Sequence, residues 1–233
     1  MAYIKYCDYI NGHDDTGDGS AGNPYQTITK ASTGLTGGDE VRVAKSPAPT
    51  NLAGTLSFTQ NSTAVVSTSA IFVNAVSGGE TDGSVRRGDF IKGGDGNWWE
   101  VITVTDSTHA TLYKKYSGST ASGVSSQKLG ITSTGAASDG TAVQTVSASG
   151  TSSSKLKISG GWDLSGSPTQ DGQTYFRQMH GTFANRYGYG LYLSSKSYVE
   201  IERCHFLRYN YGIYLYNSSN NTITTPTCNS NTN

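Results

Sequence analysis

The chain has 233 residues, with Lys+Arg 17 against Asp+Glu 17, so it carries no net charge, and only 15% of its residues are charged. Without a basic excess, neither nucleic acid nor an anionic membrane is expected as its main partner, and no apolar run reaches membrane-spanning length. Gly 29 against Pro 5, with 34% hydrophobic residues, points to a turn-rich all-β protein.

The opening Met1-Ala-Tyr-Ile-Lys-Tyr-Cys-Asp lacks the basic start and apolar core of a secretory signal, so a soluble protein made in a cytoplasm is expected. Residues 3 to 10 read as a first strand. A long turn follows from Asn11 to Asn23, in which Asp14, Asp15 and Asp18 are read as turn formers. A calcium loop would need a later Glu that this spacing lacks. Asn23 and Pro24 suit the N-cap and first position of a short helix, with Tyr25, Ile28 and Ser32 on one face, and such a helix would cap the end of a stack of strands.

The stretch Gly17 to Ala31, of the form Gly-Asp-Gly-Ser-x-x-Asn-Pro-Tyr-x-Thr-Ile-x-x-Ala, leads into Gly38-Asp-x-Val-x-Val43. It resembles the opening of pectate-lyase-like right-handed parallel β-helix proteins, a group that includes polysaccharide lyases and many bacteriophage tail spikes and virion fibres. The resemblance implies a location in the virion after assembly in a host cytoplasm. It also implies self-association as a trimer, contact with other virion proteins, and contact with host surface polysaccharide.

From Gly54 to Gly123 the texture changes to short strands at roughly ten-residue intervals with Gly-rich turns: Thr55 to Phe58, Ala64 to Ser67, Ala70 to Val76, Gly88 to Lys92, Trp98 to Val104 and Ala110 to Tyr113. Residues 54–123 are therefore read as an inserted small β-barrel or sandwich module, similar to one found in phage structural proteins. Of Trp98 and Trp99, one should face its core. Residues 117–154 are rich in Ser, Thr, Gly and Ala. Within and after them, Lys128 to Thr132, Thr141 to Val146, Lys155 to Trp162 and Gln173 to Arg177 have the character of resumed strands.

Near the carboxyl end a repeat is explicit. Tyr187-Gly-Tyr-Gly-Leu-Tyr-Leu and Tyr209-Asn-Tyr-Gly-Ile-Tyr-Leu are offset by 209 − 187 = 22 residues, and the offset continues from Ser197 to Ser219 and from Ile201 to Ile223. A period of this length made of short alternating runs is the mark of a solenoid. Alternation turns Leu191, Leu193, Val199 and Ile201 to one side, and Tyr192 and Glu200 to the other. The fold class expected is thus all-β: a right-handed parallel β-helix with about 22-residue coils, an N-terminal capping helix and the inserted module. Its parts are 1–53 (cap and first coil), 54–123 (insert) and 124–233 (later coils). In this register Asn231 to Asn233 fall on Tyr209 to Tyr211, so the last coil is expected to be unfinished and to be continued or covered by a partner.

Two functional alternatives arise from the outward residues. Glu200 and Glu202 project to one side of a strand about 7 Å apart, a spacing suited to paired carboxylates of a polysaccharide lyase or glycoside hydrolase. Thr222 and Thr224 occupy the next rung, and a solvated strand face explains the same residues. The tyrosines pair as 187/209, 189/211 and 192/214. Tyr192 and Tyr214, standing outside, would serve a non-catalytic glycan-binding module or a subunit contact, or would only stabilise one another. Cys7, Cys204 and Cys228 are read as buried thiols, and His180 and His205 as loop or surface residues. No metal and no cofactor are expected. The function expected first is that of a bacteriophage virion structural protein serving attachment or assembly.

Overall fold

The computed structural model describes residues 2–76, 83–134, 142–178 and 188–224. Tyr187, His180, Cys228 and the final residues 225–233 lie outside them. The chain divides into two compact units, one of Met1–Ser46, Ile131–His180 and Asn185–Asn233, the other of Pro47–Gly130 with Gly181–Ala184.

The first unit begins with strand β1 (Ile4–Cys7), helix α1 (Ile28–Ala31) and β2 (Glu40–Ala44). The second contains β3 (Thr50–Asn51), β4 (Leu56–Phe58), β5 (Ala64–Ser67), β6 (Phe72–Val76), β7 (Val85–Arg87), β8 (Phe90–Lys92), β9 (Trp98–Val104), β10 (His109–Leu112), β11 (Ala121–Val124) and β12 (Gln127–Lys128). The chain then returns to the first unit through β13 (Thr132–Thr134), β14 (Ala142–Thr145), β15 (Leu156–Asp163), β16 (Thr169–Gln170), β17 (Thr174–Gln178), β18 (Tyr189–Ser194), β19 (Val199–Glu202), β20 (Cys204–Leu207), β21 (Tyr211–Tyr216) and β22 (Thr222–Thr224).

The first unit is all-β around three sheets of parallel strands, ordered β1-β2-β15-β19-β22, β13-β17-β20 and β14-β18-β21, with β16 folded back antiparallel on β15. From β13 to β22, leaving aside β16, consecutive strands visit these sheets in an unchanging rotation. The pairing follows the 22-residue register: Tyr189 lies against Tyr211, Tyr192 against Tyr214, Glu200 against Thr222 and Ile201 against Ile223. Alternation supplies the core, since Leu156, Ile158, Phe176, Leu191, Leu193, Val199, Ile201 and Phe206 are all fully buried. Like stacks on like there, as in Phe176 and Phe206, whose rings are 5.3 Å apart and 18° from parallel.

The turns repeat with the strands. Ser195 and Asn217 hold φ of 53° and 48°, and Tyr198 and Asn220 hold 57° and 56°, so the same left-handed positions recur one period later. Lys196 N donates to Ser218 Oγ and Val199 N to Asn221 Oδ1, each bond spanning 22 residues.

The capping helix starts later than Asn23-Pro24. Its N-cap is Thr27, whose side chain accepts from Lys30 N. The Asp14 carboxylate is the reason, because it accepts from Gln26 N, Thr27 N and Thr27 Oγ1 and so holds the preceding backbone out of the helix. Tyr25 bridges to Cys7 as extended chain, while the Asn23 carbonyl closes a turn with Asp18 and Gly19. The helix then lies along the edge of β14: Thr29 Oγ1 accepts from Thr145 N, Ser32 Oγ from Ser147 N, and Gln144 Oε1 from Ile28 N. Among the described residues no helix is long and apolar enough to cross a membrane.

The second unit is a single antiparallel run of strands ordered β11-β4-β5-β10-β9-β8-β12-β3, beside a parallel pair β6-β7. Its core gathers Leu56, Phe58, Val65, Ile91, Val101, Leu112 and Tyr116, with Trp99 packed against it. Trp98 turns the other way on the strand, 5.8 Å from the Lys92 ammonium. Strands β3 and β12 pair with each other just outside residues 54–123, and Leu52 N donates to Ser126 O across the same place.

Candidate functional site

The outer face of the sheet that contains β19 carries Glu40, Arg42, Lys157, Glu200 and Glu202. Two columns of residues run across it. Glu40, Lys157, Glu200 and Thr222 form one, and Arg42, Ser159, Glu202 and Thr224 the other. Glu200 and Glu202 do stand on one face, either side of the fully buried Ile201.

Their environments differ. Glu202 Oε1 accepts from Lys157 Nζ at 2.9 Å and from Gln170 Nε2 at 2.9 Å. Burial pushes its carboxyl pKa up, but these two bonds and the Lys157 charge outweigh that and hold it below the usual value. Glu202 is therefore a committed anion, suited to accepting hydrogen bonds and unsuited to donating a proton. The Glu200 side chain makes no hydrogen bond among the described residues.

The rest of the face is bonded to itself. Glu40 accepts from Arg42 Nε at 2.9 Å and from Ser159 Oγ at 2.6 Å, and Ser159 Oγ accepts from Trp162 Nε1 at 2.8 Å. The Arg42 guanidinium lies 3.9 Å from the centre of the Trp162 ring. Trp162 also lines a cleft of ≈ 420 Å³ with Asp8, Asn11, Lys45, Asp163 and Ser165. Its charges are matched, because Lys45 Nζ bridges Asp163 at 2.8 Å and Asp171 at 3.0 Å, holding the Asp163 carboxyl far below its ordinary pKa. Asp8 is taken up by Ile10 N, Asn11 N and Asn11 Nδ2.

The tyrosines split into two groups. Tyr209 is fully buried against Phe206 and belongs to the core, and its expected partner Tyr187 lies outside the described residues. Tyr189, Tyr192, Tyr211 and Tyr214 form one half-buried cluster with neighbouring centroids 4.4 to 5.8 Å apart. Strict alternation would send Tyr189 inward with Leu191. Gly190 breaks it: a β-carbon there would stand 2.8 Å from the Phe206 ring and 2.9 Å from the Tyr209 ring, so Gly190 and Leu191 both face the core. Tyr189 is thereby released to the outside. The signal in the sequence is the Tyr-Gly-aliphatic-Tyr spacing present in both rungs.

In this cluster Tyr189 and Tyr214 are 10° from parallel, and Tyr192 and Tyr214 are 19° from parallel. Rings so arranged spend their faces on one another, which favours stabilisation of rung by rung over stacking on a flat ligand.

His205 is buried rather than at the surface, with Nε2 2.9 Å from Gln173 Oε1 and its ring stacked 4.5 Å from Tyr175. Cys7 and Cys204 are free and buried, and burial pushes the Cys204 thiol up to about 12. Among the described residues no group of three or more His, Cys, Asp or Glu is placed to hold a metal ion. No protein family, curated protein or solved structure matches the chain.

Proposed function

We propose that the first unit is a right-handed parallel β-helix of the pectate-lyase-like kind, and that the chain is a structural segment of a bacteriophage tail spike or virion fibre. The observation that carries the reading is the rotation of strands through three sheets in one register, down to recurring left-handed turn positions. Its right-handed sense is the one that parallel crossovers adopt almost without exception. Such a stack suits a shaft. Each rung is held by backbone ladders, stacked rings and turn hydroxyls, and the charges of Glu40, Arg42, Lys157 and Glu202 are spent on their neighbours. Partners on this reading are further copies of the chain as a trimer, other virion proteins and host surface polysaccharide.

An enzymatic reading with Glu200 and Glu202 has less support, because the Glu202 carboxylate is engaged by Lys157 and Gln170 rather than open to a substrate. Antibodies against the purified chain, applied to intact particles, test the proposal together with sedimentation of the chain. Labelled virions and a stable oligomer are the expected results. A monomer that is absent from particles would reject it, and release of reducing ends or unsaturated products from capsular or lipopolysaccharide glycans would restore the enzyme.

A further inference from the structure

The second unit contains a cleft of ≈ 630 Å³ between the β3–β4 connection, the β8–β9 turn and the β11–β12 connection. Among the described residues Lys92 is the one charged residue in its lining, and no carboxylate lines it. The nearby Asp95 is occupied, accepting from Trp99 Nε1, Asn97 N and Asn97 Nδ2 at 3.1 Å each.

The polar groups left over in the lining are of a consistent kind. Lys92 Nζ has no hydrogen bond or ion pair among the described residues, and it lies 5.8 Å from the centre of the Trp98 ring. Asn51 uses its Oδ1 to accept from Gln127 Nε2 at 3.0 Å, so the groups the pair has left are the Asn51 amide donor and the Gln127 Oε1 acceptor. Ser125 adds an exposed hydroxyl, and Leu52 and Val124 an apolar wall. An ammonium, an amide donor and a hydroxyl beside one acceptor and a small apolar wall match a carboxylate that carries an N–H and a short side chain on the adjoining carbon.

We propose that this cleft receives the carboxyl-terminal residue of a peptide chain. The carboxylate is taken by Lys92, Asn51 and Ser125, the amide N–H by Gln127 Oε1, and the side chain by Leu52 and Val124. Recognition of a chain end by this combination needs no helix or metal, only a cation beside neutral donors.

The test titrates the full chain with N-acetyl-alanyl-alanine, followed by amide proton–nitrogen NMR. Saturable shifts at Gly94, Gly96, Ser125 and Gln127 are expected, with affinity falling about tenfold or more for the carboxyl-amidated peptide and for Lys92→Gln, and largely kept in Lys92→Arg. Asn51→Asp, which sets a carboxylate at the same place, should abolish the shifts, and it decides the matter should Lys92→Gln fail to fold. Equal binding of acid and amide, equal competition by inorganic phosphate, or no saturable shift in the native chain would each overturn the assignment.

Discussion

The ring of Tyr189 stacks on Tyr214, 4.4 Å away and 10° from parallel, and not on its register partner Tyr211, whose ring is 5.6 Å away and tilted by 53°. The two rungs are thus tied along a diagonal as well as straight across. A double-mutant cycle to alanine should find a coupling of about 0.5–1.5 kcal/mol between Tyr189 and Tyr214, and a clearly smaller one between Tyr189 and Tyr211. Urea denaturation of the six proteins involved gives both numbers. Equal couplings would mean that the rings are simply neighbours.

The glycine that frees Tyr189 makes a second prediction. A β-carbon on Gly190 would meet the Gly212 carbonyl oxygen at 2.6 Å as well as the Phe206 and Tyr209 rings, and the backbone oxygen has little room to yield. Gly190→Ala should therefore destabilise the first unit by about 1–3 kcal/mol, the usual range for overfilling a packed core. Gly22→Ala serves as the control, since nothing lies within 4 Å of its added carbon. A Gly190→Ala protein with the denaturation midpoint of that control would show that the strand can shift.

These particulars also mark how far the sequence could be read. A register of 22 residues is visible because both of its rungs are uninterrupted, and it places Glu200 on Thr222 and Ile201 on Ile223 as observed. The preceding pairings are Lys157 with Glu200 and Lys157 with Glu40, at separations of 43 and 117 residues, because β16 and the whole second unit intervene. No periodicity survives such insertions. The helix start was obscured because Asn-Pro is a strong local signal, and only the distant Asp14 overrides it. The pairing of Tyr187 with Tyr209 left the side of Tyr209 open, and its burial against Phe206 is set by the packing of the core. The charge pair Glu200 and Glu202 was legible as a shared face. The partners that hold Glu202 come from β15 and β16, which local spacing cannot supply.

His205 gives the fold a pH dependence of definite sign. It is only 6% exposed, and burial lowers its imidazole from 6.5 to about 4. Gln173 Oε1 can only accept, so the facing Nε2 carries the proton of a neutral ring. The unfolded chain takes up a proton near pH 6.5 and the folded chain only near pH 4. The stability this group contributes is therefore whole above pH 6.5 and is lost as the pH falls toward 4. Between pH 6.5 and 5, where carboxylates change little, the loss should approach roughly 2 kcal/mol. Denaturation midpoints of the native chain and of His205→Gln over that interval check it: the native curve should fall and the variant's should stay nearly level. Parallel curves would remove His205 as the cause.

The helix edge yields the last prediction. Strand β14 begins its sheet, so its outward amides would face water or another chain's strand were α1 not beside them. In place of a neighbouring strand, Thr29 Oγ1 and Ser32 Oγ accept from Thr145 N and Ser147 N at 2.8 and 2.9 Å. Two hydroxyls from a single helical turn thus do the work of a strand's carbonyls, and they end the sheet at the same time. Ser32→Ala, at a fully buried position, should cost about 1–2 kcal/mol by leaving the Ser147 amide without its acceptor. Hydrogen exchange resolves the effect by site. The Ser147 amide should exchange faster by about tenfold or more in Ser32→Ala while the Thr145 amide changes much less, and Thr29→Val should reverse that order. Uniform acceleration of both amides in either variant would show that the helix leaves the edge as a whole, and that the individual hydroxyls do not set the cap.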